Sequence, residues 1–289
     1  MTHPQIATRA LDTDAMMSPD LVDRAQERPT IGEMIVSVTS YRELVRNLVL
    51  RDLKLKYRGS VLGFVWSLVN PLAMVTIYTI AFTFILRTSM PGFVFFLLLG
   101  LLAWSFFANS ATMATGAFVD GGGLIKSVVF PRSILPIATV LFNLAQYLLT
   151  FVVLLPVMLV VYRPPLAASM LAFPALLLLQ VVFTVGVALL LAVSTAYFRD
   201  TRHLLELALA FLFWLTPVVY PLSQVDARFG AVVRFSPLSP FIVGYQEMFF
   251  YGRWPDASTW VTATSYAAVA LIAGAWTFLA VDEQLSERV

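Results

Sequence analysis

The chain has no cysteine, only two histidines and few charged residues. The absence of cysteine excludes disulfides, thiolate chemistry and Cys-ligated metals. His3 and His203 are too few and too far apart in sequence to indicate a His-rich metal centre. Charged residues make up 12% of the chain and hydrophobic residues 59%, whereas soluble domains carry roughly a quarter charged residues. This composition predicts an all-α membrane protein that crosses the bilayer several times.

Several catalytic and nucleotide-binding motifs are also missing from the sequence. No GxxxxGK[ST] sequence occurs, and the Gly121–Gly123 run lacks the Lys and Ser or Thr that would complete one. The chain therefore does not bind ATP by that route. A GxSxG elbow, an HExxH pair and an acidic cluster are absent too, and Asp120, Asp200 and Glu247 stand apart in sequence. These absences argue against a membrane enzyme that modifies glycans, which is kept as one alternative function.

Long uncharged stretches match the roughly 20 residues that a helix needs to cross a bilayer. We predict six membrane-spanning helices, near residues 64–86, 93–118, 137–161, 170–196, 204–221 and 259–281. The first four contain no charged residue, so ion-coupled transport would lack the intramembrane carboxylates or lysines that bind a driving ion. Any active transport would therefore draw its energy from another subunit.

A cationic segment precedes the first predicted span. Within a few helical turns the chain changes from charged to apolar, as a chain entering a membrane from an anionic surface would do. The same cations suit either bulk lipid headgroups or an anionic phosphate on a substrate, and the sequence does not decide between them. They are Arg51, Lys54, Lys56 and Arg58.

The residues before this boundary divide into two parts. Residues 1–29 are polar, lack apolar periodicity and predict a disordered tail. Residues 30–60 carry apolar side chains at spacings of three and four between Ile31 and Leu48, which predicts an amphipathic helix in the membrane interface. A short soluble helix packed on a partner is the alternative. Residues 61–289 would form the transmembrane domain.

The cationic residues also predict the orientation. No basic segment followed by an apolar one marks a signal peptide, so we expect the N-terminus to stay in the cytoplasm. In the connecting segments, ten Lys and Arg residues would then lie inside and five outside, which favours six spans with both termini cytoplasmic. The inner ten are residues 42, 46, 51, 54, 56, 58, 126, 132, 199 and 202, and the outer five are residues 87, 163, 228, 234 and 253.

An apolar segment between the last two predicted spans is interrupted by prolines and a glycine. Residues 235–251 contain Pro237, Pro240 and Gly244, together with the carboxylate of Glu247. Such a broken segment predicts a re-entrant hairpin at the outer side, buried in protein or lining a wet cavity. Glu247 has Arg234 and Arg253 as candidate ion-pair partners.

Aromatic residues are frequent in the predicted spans. Sugar rings present flat C–H faces that stack on aromatic rings, so an aromatic lining would let a glycan slide. The alternative is that these residues have the usual roles of aromatic side chains in membrane proteins, because Trp and Tyr are enriched at membrane interfaces and Phe commonly faces lipid. The candidate conduit residues are Trp66, Tyr78, Phe82, Trp104, Phe107, Phe211 and Trp214.

The loop 120–135 has the features of a docking segment. Three glycines precede an apolar patch that includes Phe130, and Lys126 and Arg132 flank this patch. A short helix of this kind could seat in a partner's groove. An ordinary solvated loop, with the two cations as topology signals, explains it equally well.

Four stretches together resemble the membrane subunits of ABC exporters for bacterial surface polysaccharides, which include O-antigen, teichoic acid and cell-wall galactan permeases. They are RDLKLKYRGSVLGFVWSLVNPL (residues 51–72), VVFPRSILPIATVL (128–141), YFRDTRHLLELALAFLFWLTPVVYPLS (197–223) and FSPLSPFIVGYQEMFFYG (235–252).

The resemblance implies a homodimer in the bacterial inner membrane that works with two cytoplasmic ATPase subunits. These partners would bind ATP and Mg²⁺, and this chain would carry no cofactor or metal. The cargo would be a lipid-linked polysaccharide. Residues 51–58 would lie at the entrance, Lys126, Phe130 and Arg132 would couple to the ATPase, and Pro237, Pro240 and Glu247 would belong to an outer gate. An exporter of small hydrophobic drugs is the main alternative.

Overall fold

The computed structural model describes residues 39–59, 65–85, 90–120, 130–165, 167–198 and 200–288, together with residues 32 and 63. Over these residues the chain is helical and contains no strand. The predicted disordered tail and most of the predicted amphipathic segment before residue 39 lie outside the described residues.

The helices follow one another with short connections. They are α1 (Arg42–Tyr57), α2 (Val65–Thr79, continued by a π-helical segment Ile80–Ile85), α3 (Phe93–Ala114), α4 (Ala117–Asp120), α5 (Ile134–Tyr162), α6 (Phe173–Tyr197, preceded by a 3-10 turn Ala168–Ala172), α7 (Thr201–Leu215), α8 (Ala227–Arg234), α9 (Ser239–Tyr245, continued by a π-helical segment Gln246–Phe250) and α10 (Ala257–Arg288).

Five helical segments are long and apolar enough to cross a membrane. These are Val65–Ile85, Phe93–Ala114, Ile134–Tyr162, Ala168–Tyr197 and Ala257–Val281. They coincide with five of the six predicted spans, and the multi-pass prediction is confirmed. Helix α7, within the predicted span 204–221, has 15 residues and a length of about 22 Å, since each residue adds 1.5 Å. It ends before Thr216, where the backbone becomes extended.

Helices α6 and α10 run parallel and pack very closely. Gly186 on α6 lies against the backbone of Ala270 and Leu271, and Gly274 on α10 lies against the Gly186 carbonyl. Closer to the beginning of each helix, Leu176 and Thr259 both contact Gly244. Two glycines at this crossing let the two backbones approach, which is the usual device for helix packing in membranes.

The main core surrounds α3. Of the α3 span 78% is buried, whereas only 6% of the α2 span is buried. A second, smaller core lies where α1 packs on the first turns of α5, and it includes Val45, Leu48, Phe118, Phe130 and Phe278. We call this end of the bundle the α1 end and the other end, where α9 lies, the α9 end.

The short α9 segment is buried at the α9 end of the bundle. It packs on α3, α6 and α10, and all but one of its seven residues are buried. The Tyr245 hydroxyl donates to Gln180 Oε1 at 2.7 Å, and the Gln180 amide donates to the Ala103 carbonyl at 3.0 Å. This chain of hydrogen bonds links α9 to α6 and α3.

Candidate functional site

A polar cleft lies between α2, α3 and α5 and opens beside the end of α1. Its volume is about 460 Å³. One wall is apolar, with Met74, Leu101, Leu102 and Phe106. The other lining residues are mostly uncharged and polar: Ser67, Asn70, Ser105, Asn109, Asn143, Gln146, Tyr147 and Thr150.

Helical spacing explains why these polar residues meet. Asn143, Gln146, Tyr147 and Thr150 occupy positions i, i+3, i+4 and i+7 of α5 and therefore share one face. Ser105 and Asn109 are four residues apart on α3, and Ser67 and Asn70 are three apart on α2. These residues are not among the predicted site residues, because they are uncharged. Uncharged polar residues at helical spacing are the signal that would have found them.

Lys56 is the one cation among the described residues that line this cleft. Its ammonium donates a hydrogen bond to Gln146 Oε1 and lies 5.8 Å from the centroid of the Phe142 ring. Partial burial of the ammonium lowers the pKa of Lys56. The other end of the amide, Gln146 Nε2, is buried and has no hydrogen-bond partner among the described residues. The cleft thus holds one cation and one unsatisfied donor at its opening.

The other three predicted entrance cations lie on the opposite side of α1. Arg51 pairs with the neighbouring Asp52 at 2.9 Å, and both Lys54 and Arg58 are exposed. The apolar side chains of Leu50 and Leu55 are exposed beside them. This surface of α1 therefore combines positive charge with apolar area, which is typical of a helix at an anionic lipid surface.

The predicted conduit residues occupy two environments. Trp104 is 9% exposed and packs on Phe213 with ring centroids 5.3 Å apart, and Phe107 is 4% exposed and stacks on Phe183 at 5.5 Å. Both belong to the packed core of this chain. The sequence alone does not show whether an aromatic residue of an apolar helix is buried in the core or lies on the surface. Tyr78 and Phe82 are partly buried against this core, while Trp66, Phe211 and Trp214 are exposed.

The predicted coupling residues differ in position. The Phe130 side chain is buried in the smaller core, and so it is not part of an exposed apolar patch. Arg132 follows two residues later at a partly exposed position, just before α5 begins. Lys126 lies outside the described residues.

The predicted outer-gate residues lie at the α9 end. Pro237 is partly exposed and Pro240 is buried in the first turn of α9. The predicted pairing of Glu247 with Arg253 is confirmed, because Arg253 Nη2 donates to Glu247 Oε1 at 3.1 Å. Burial raises the pKa of the Glu247 carboxyl, and the nearby Arg253 partly opposes this effect.

Residues 43–250 match the family model for ABC-2 type transporter membrane proteins. This match extends from the start of α1 to the end of the π-helical segment after α9, so it includes the cleft and the α9 segment.

Among curated proteins, the chain is similar to the O-antigen export system permease protein RfbA of Myxococcus xanthus, with 33% identity over 261 residues that cover 89% of this chain and 99% of the relative. It is 31% identical over 202 residues to the protein of the same name from Klebsiella pneumoniae, covering 70% of this chain and 78% of that relative. The polysialic acid transport protein KpsM of Escherichia coli is 25% identical over 200 residues, covering 67% and 76%.

Proposed function

The chain belongs to the ABC-2 type transporter family of membrane proteins, and we propose that it moves a lipid-linked surface polysaccharide outward across the bacterial inner membrane. In this family the membrane chain is a transporter subunit and not an enzyme, and a separate ABC ATPase hydrolyses ATP. The relatives named for O-antigen export and polysialic acid transport support a polysaccharide cargo.

The polar cleft is the observation that carries this proposal. Asn70 on α2 and Asn109 on α3 are exposed in this chain although they lie in membrane-spanning helices. An exposed amide facing hydrocarbon lacks hydrogen-bond partners, so such residues face a wet cavity or another protein surface. We infer that the cleft opens onto a hydrated passage rather than onto lipid. A hydroxyl-rich glycan finds there both polar partners and the apolar wall beside Leu101 and Phe106.

The cations at the α1 end fit the phosphate-bearing end of such a cargo. Arg51, Lys54 and Arg58 give a positive surface on α1, and Lys56 brings one positive charge to the opening of the cleft. Anionic phosphate groups are attracted to clustered Lys and Arg near a membrane surface. In this proposal α1 lies in the cytoplasmic interface, and the headgroup reaches Lys56 before the glycan enters the cleft.

The parallel packing of α6 and α10 supports six crossings with both termini on the same side, which we take to be the cytoplasmic side from the distribution of Lys and Arg. Because both helices run in the same direction, the chain must return across the bundle between Tyr197 and Ala257. Helix α7 makes most of this return, and its end approaches the middle of α3, where Phe213 contacts Trp104. The chain then turns at residues 216–220, with Val218 O 2.8 Å from the position of a Cβ on Gly100. The α9 segment then forms the proposed re-entrant hairpin at the outer side.

A second copy of the chain would complete the passage. Helix α2 is mostly exposed in one copy, and the cleft residues Trp66 and Asn70 lie on its exposed surface. Packing two copies around these surfaces would enclose the cleft and remove Asn70 from lipid. In this arrangement Trp66, Phe211 and Trp214 are the aromatic candidates for contact with a sliding glycan, while Trp104 and Phe107 support them from the core. Arg132, at the start of α5, would lie near the ATPase.

The proposal is tested by deleting the gene in its own host and measuring surface polysaccharide and its lipid-linked precursor. We expect the surface polysaccharide to disappear and the precursor to accumulate inside the cell. A plasmid carrying the intact gene should restore export, and the same plasmid should fail when the partner ATPase is inactivated. Unchanged surface polysaccharide together with greater sensitivity to hydrophobic drugs would contradict the proposal and favour a drug exporter.

A further inference from the structure

A second cavity lies at the α9 end, away from the polar cleft. Its volume is about 350 Å³, which falls within the range of roughly 300–1,000 Å³ for small-ligand sites. The cavity lies between the α9 segment with its π-helical continuation, the start of α10 and the turn after Tyr220. Phe96 of α3 contributes to its apolar lining.

Glu247 is the most unusual residue of this outer cavity. Its side chain is 5% exposed, and one oxygen, Oε1, accepts the hydrogen bond from Arg253. Asp256 also lines the cavity near this carboxylate. The second oxygen, Oε2, has no hydrogen-bond partner among the described residues. A buried carboxylate oxygen without a donor is unfavourable, so this position favours a ligand that brings one.

Local backbone structure holds Glu247 in place. The π-helical segment Gln246–Phe250 carries it, and segments of this type are frequent at functional sites. The Gln246 amide donates to the Pro217 carbonyl at 3.0 Å, and the Arg253 backbone N–H donates to the Glu247 carbonyl at 2.9 Å. The turn between them needs Gly252, whose φ is 63° and whose missing Cβ would lie 2.6 Å from Pro165.

The rim of the outer cavity joins aromatic rings to charges of both signs. Phe235 and Tyr251 are exposed beside it, and the Arg253 guanidinium lies 5.0 Å from the centroid of the Tyr251 ring. Arg234 and Asp256 are also exposed at the rim. The Glu247 carboxylate would repel an anionic ligand, and the two arginines would repel a cationic one. A neutral polyhydroxylated ring avoids both conflicts, because its hydroxyls donate to carboxylates and accept from guanidinium groups.

We propose that the outer cavity binds one pyranose unit of the exported glycan, with a sugar hydroxyl donating to Glu247 Oε2 and a C–H face against Tyr251. This inference rests on the proposed function, since it takes the cargo to be a polysaccharide. The cavity would hold the leading part of the glycan as it leaves the passage. It is a site separate from the polar cleft, and its binding does not require ATP hydrolysis.

The test measures binding of a defined probe to the purified transporter complex. The probe is a set of oligosaccharides released by mild acid from the surface polysaccharide of the strain that carries the gene. Titration calorimetry or saturation-transfer NMR in detergent reports affinity without any export step. We expect Glu247→Gln to weaken binding about tenfold, as the loss of one hydrogen bond to a charged acceptor does. Glu206→Gln, the same chemical change at an exposed position of α7, should leave affinity unchanged.

Ser258→Trp provides a second variant that does not depend on Glu247. Ser258 is exposed at the start of α10 and lines the outer cavity, so a large ring there should block the cavity without disturbing the core. Loss of binding in both variants supports the proposal, and if Glu247→Gln does not fold, Ser258→Trp decides alone. Unchanged affinity in Ser258→Trp overturns the proposal, and a fall in Ser258→Trp alone contradicts the role of Glu247. If deletion abolishes export but the probe does not bind, only this inference fails, and the proposed function stands.

Discussion

The Lys56 ammonium donates a hydrogen bond to Gln146 Oε1 and so connects the end of α1 to the middle of α5 at the opening of the polar cleft. The two residues are 90 positions apart in the sequence. This contact joins the cationic segment before the first span to the polar face of α5. This contact therefore lies on the proposed path from headgroup to cleft, and a substitution at either residue can remove it.

Replacing Lys56 with Ala should reduce export of the surface polysaccharide, because it removes both the cation at the cleft and the hydrogen bond to Gln146. A hydrogen bond to a charged group contributes about 1.5–3 kcal/mol, so we expect at least a tenfold slower export. Gln146→Leu should have a similar effect, and the double variant should be less than additive. Arg46→Ala, which removes an exposed cation from the same helix, is the control. Equal export by Lys56→Ala and the intact chain would contradict this prediction.

Single cysteines should report water in the cleft directly, because the natural chain contains none. We expect Asn70→Cys and Asn109→Cys to react with a membrane-impermeant maleimide added from the cytoplasmic side of inverted vesicles. Val157→Cys, at an exposed apolar position of α5, should remain unlabelled because hydrocarbon surrounds it. Labelling at Val157 but at neither asparagine position would show that the cleft is not the hydrated passage.

The crossing of α6 and α10 should tolerate no side chain at its closest point. A Cβ on Gly186 would overlap the Ala270 backbone, so Gly186→Val should destabilise the fold by about 3 kcal/mol, at the upper end of measured overpacking effects. Gly230→Val is the matched control, because nothing lies within 4 Å of a Cβ there. Thermal unfolding in detergent measures both. Wild-type stability of Gly186→Val would show that the two helices are not packed as described.

The hydrogen bond from Tyr245 to Gln180 should contribute to stability because both partners are buried. Tyr245→Phe leaves Gln180 Oε1 without its donor and should cost about 1–3 kcal/mol of unfolding free energy. Tyr266→Phe is the comparison, because it removes a hydroxyl that donates to the Phe235 carbonyl at a less buried position, and it should cost less. A smaller loss of stability in Tyr245→Phe than in Tyr266→Phe would contradict the network.

The raised pKa of Glu247 predicts a pH-dependent stability. Burial favours the neutral carboxyl in the folded protein. Its contribution to stability is therefore fully present below the pKa of the unfolded chain and is lost as pH rises through the higher folded pKa. The melting temperature of the intact protein should rise relative to that of Glu247→Gln as pH is lowered from 7 towards 5. A difference that stays constant or changes in the opposite direction would contradict this assignment.

Hydropathy and charge patterns predicted most of the helical framework. The uncharged runs at residues 64–86, 93–118, 137–161, 170–196 and 259–281 coincide with helices long enough to span a membrane, because hydrocarbon excludes charge and requires the backbone to satisfy its own hydrogen bonds. The pairing of Glu247 with Arg253 was also accessible, since the two residues are six positions apart on either side of a turn.

Burial of individual aromatic residues could not be predicted from hydropathy and charge patterns. Trp104 and Phe107 lie in a mostly apolar helix without charged residues, and only the packing of Phe213 and Phe183 from other helices places them in the core. Phe130 is buried for the same reason, because it belongs to the smaller core that several helices form. The cleft was missed because its polar residues are uncharged and come from three helices, and only the tertiary structure brings them together.

Transport in inverted membrane vesicles tests the central claim most directly. The vesicles contain this chain with its partner ATPase, and labelled lipid-linked polysaccharide from the same strain is supplied on the outer face, which corresponds to the cytoplasm. We predict that ATP drives the glycan into the vesicle lumen, and that the double variant Asn70→Leu, Asn109→Leu slows this transfer at least about tenfold, an effect of roughly 1.4 kcal/mol. ATP-driven uptake of a hydrophobic dye without any transfer of the glycan would contradict the account.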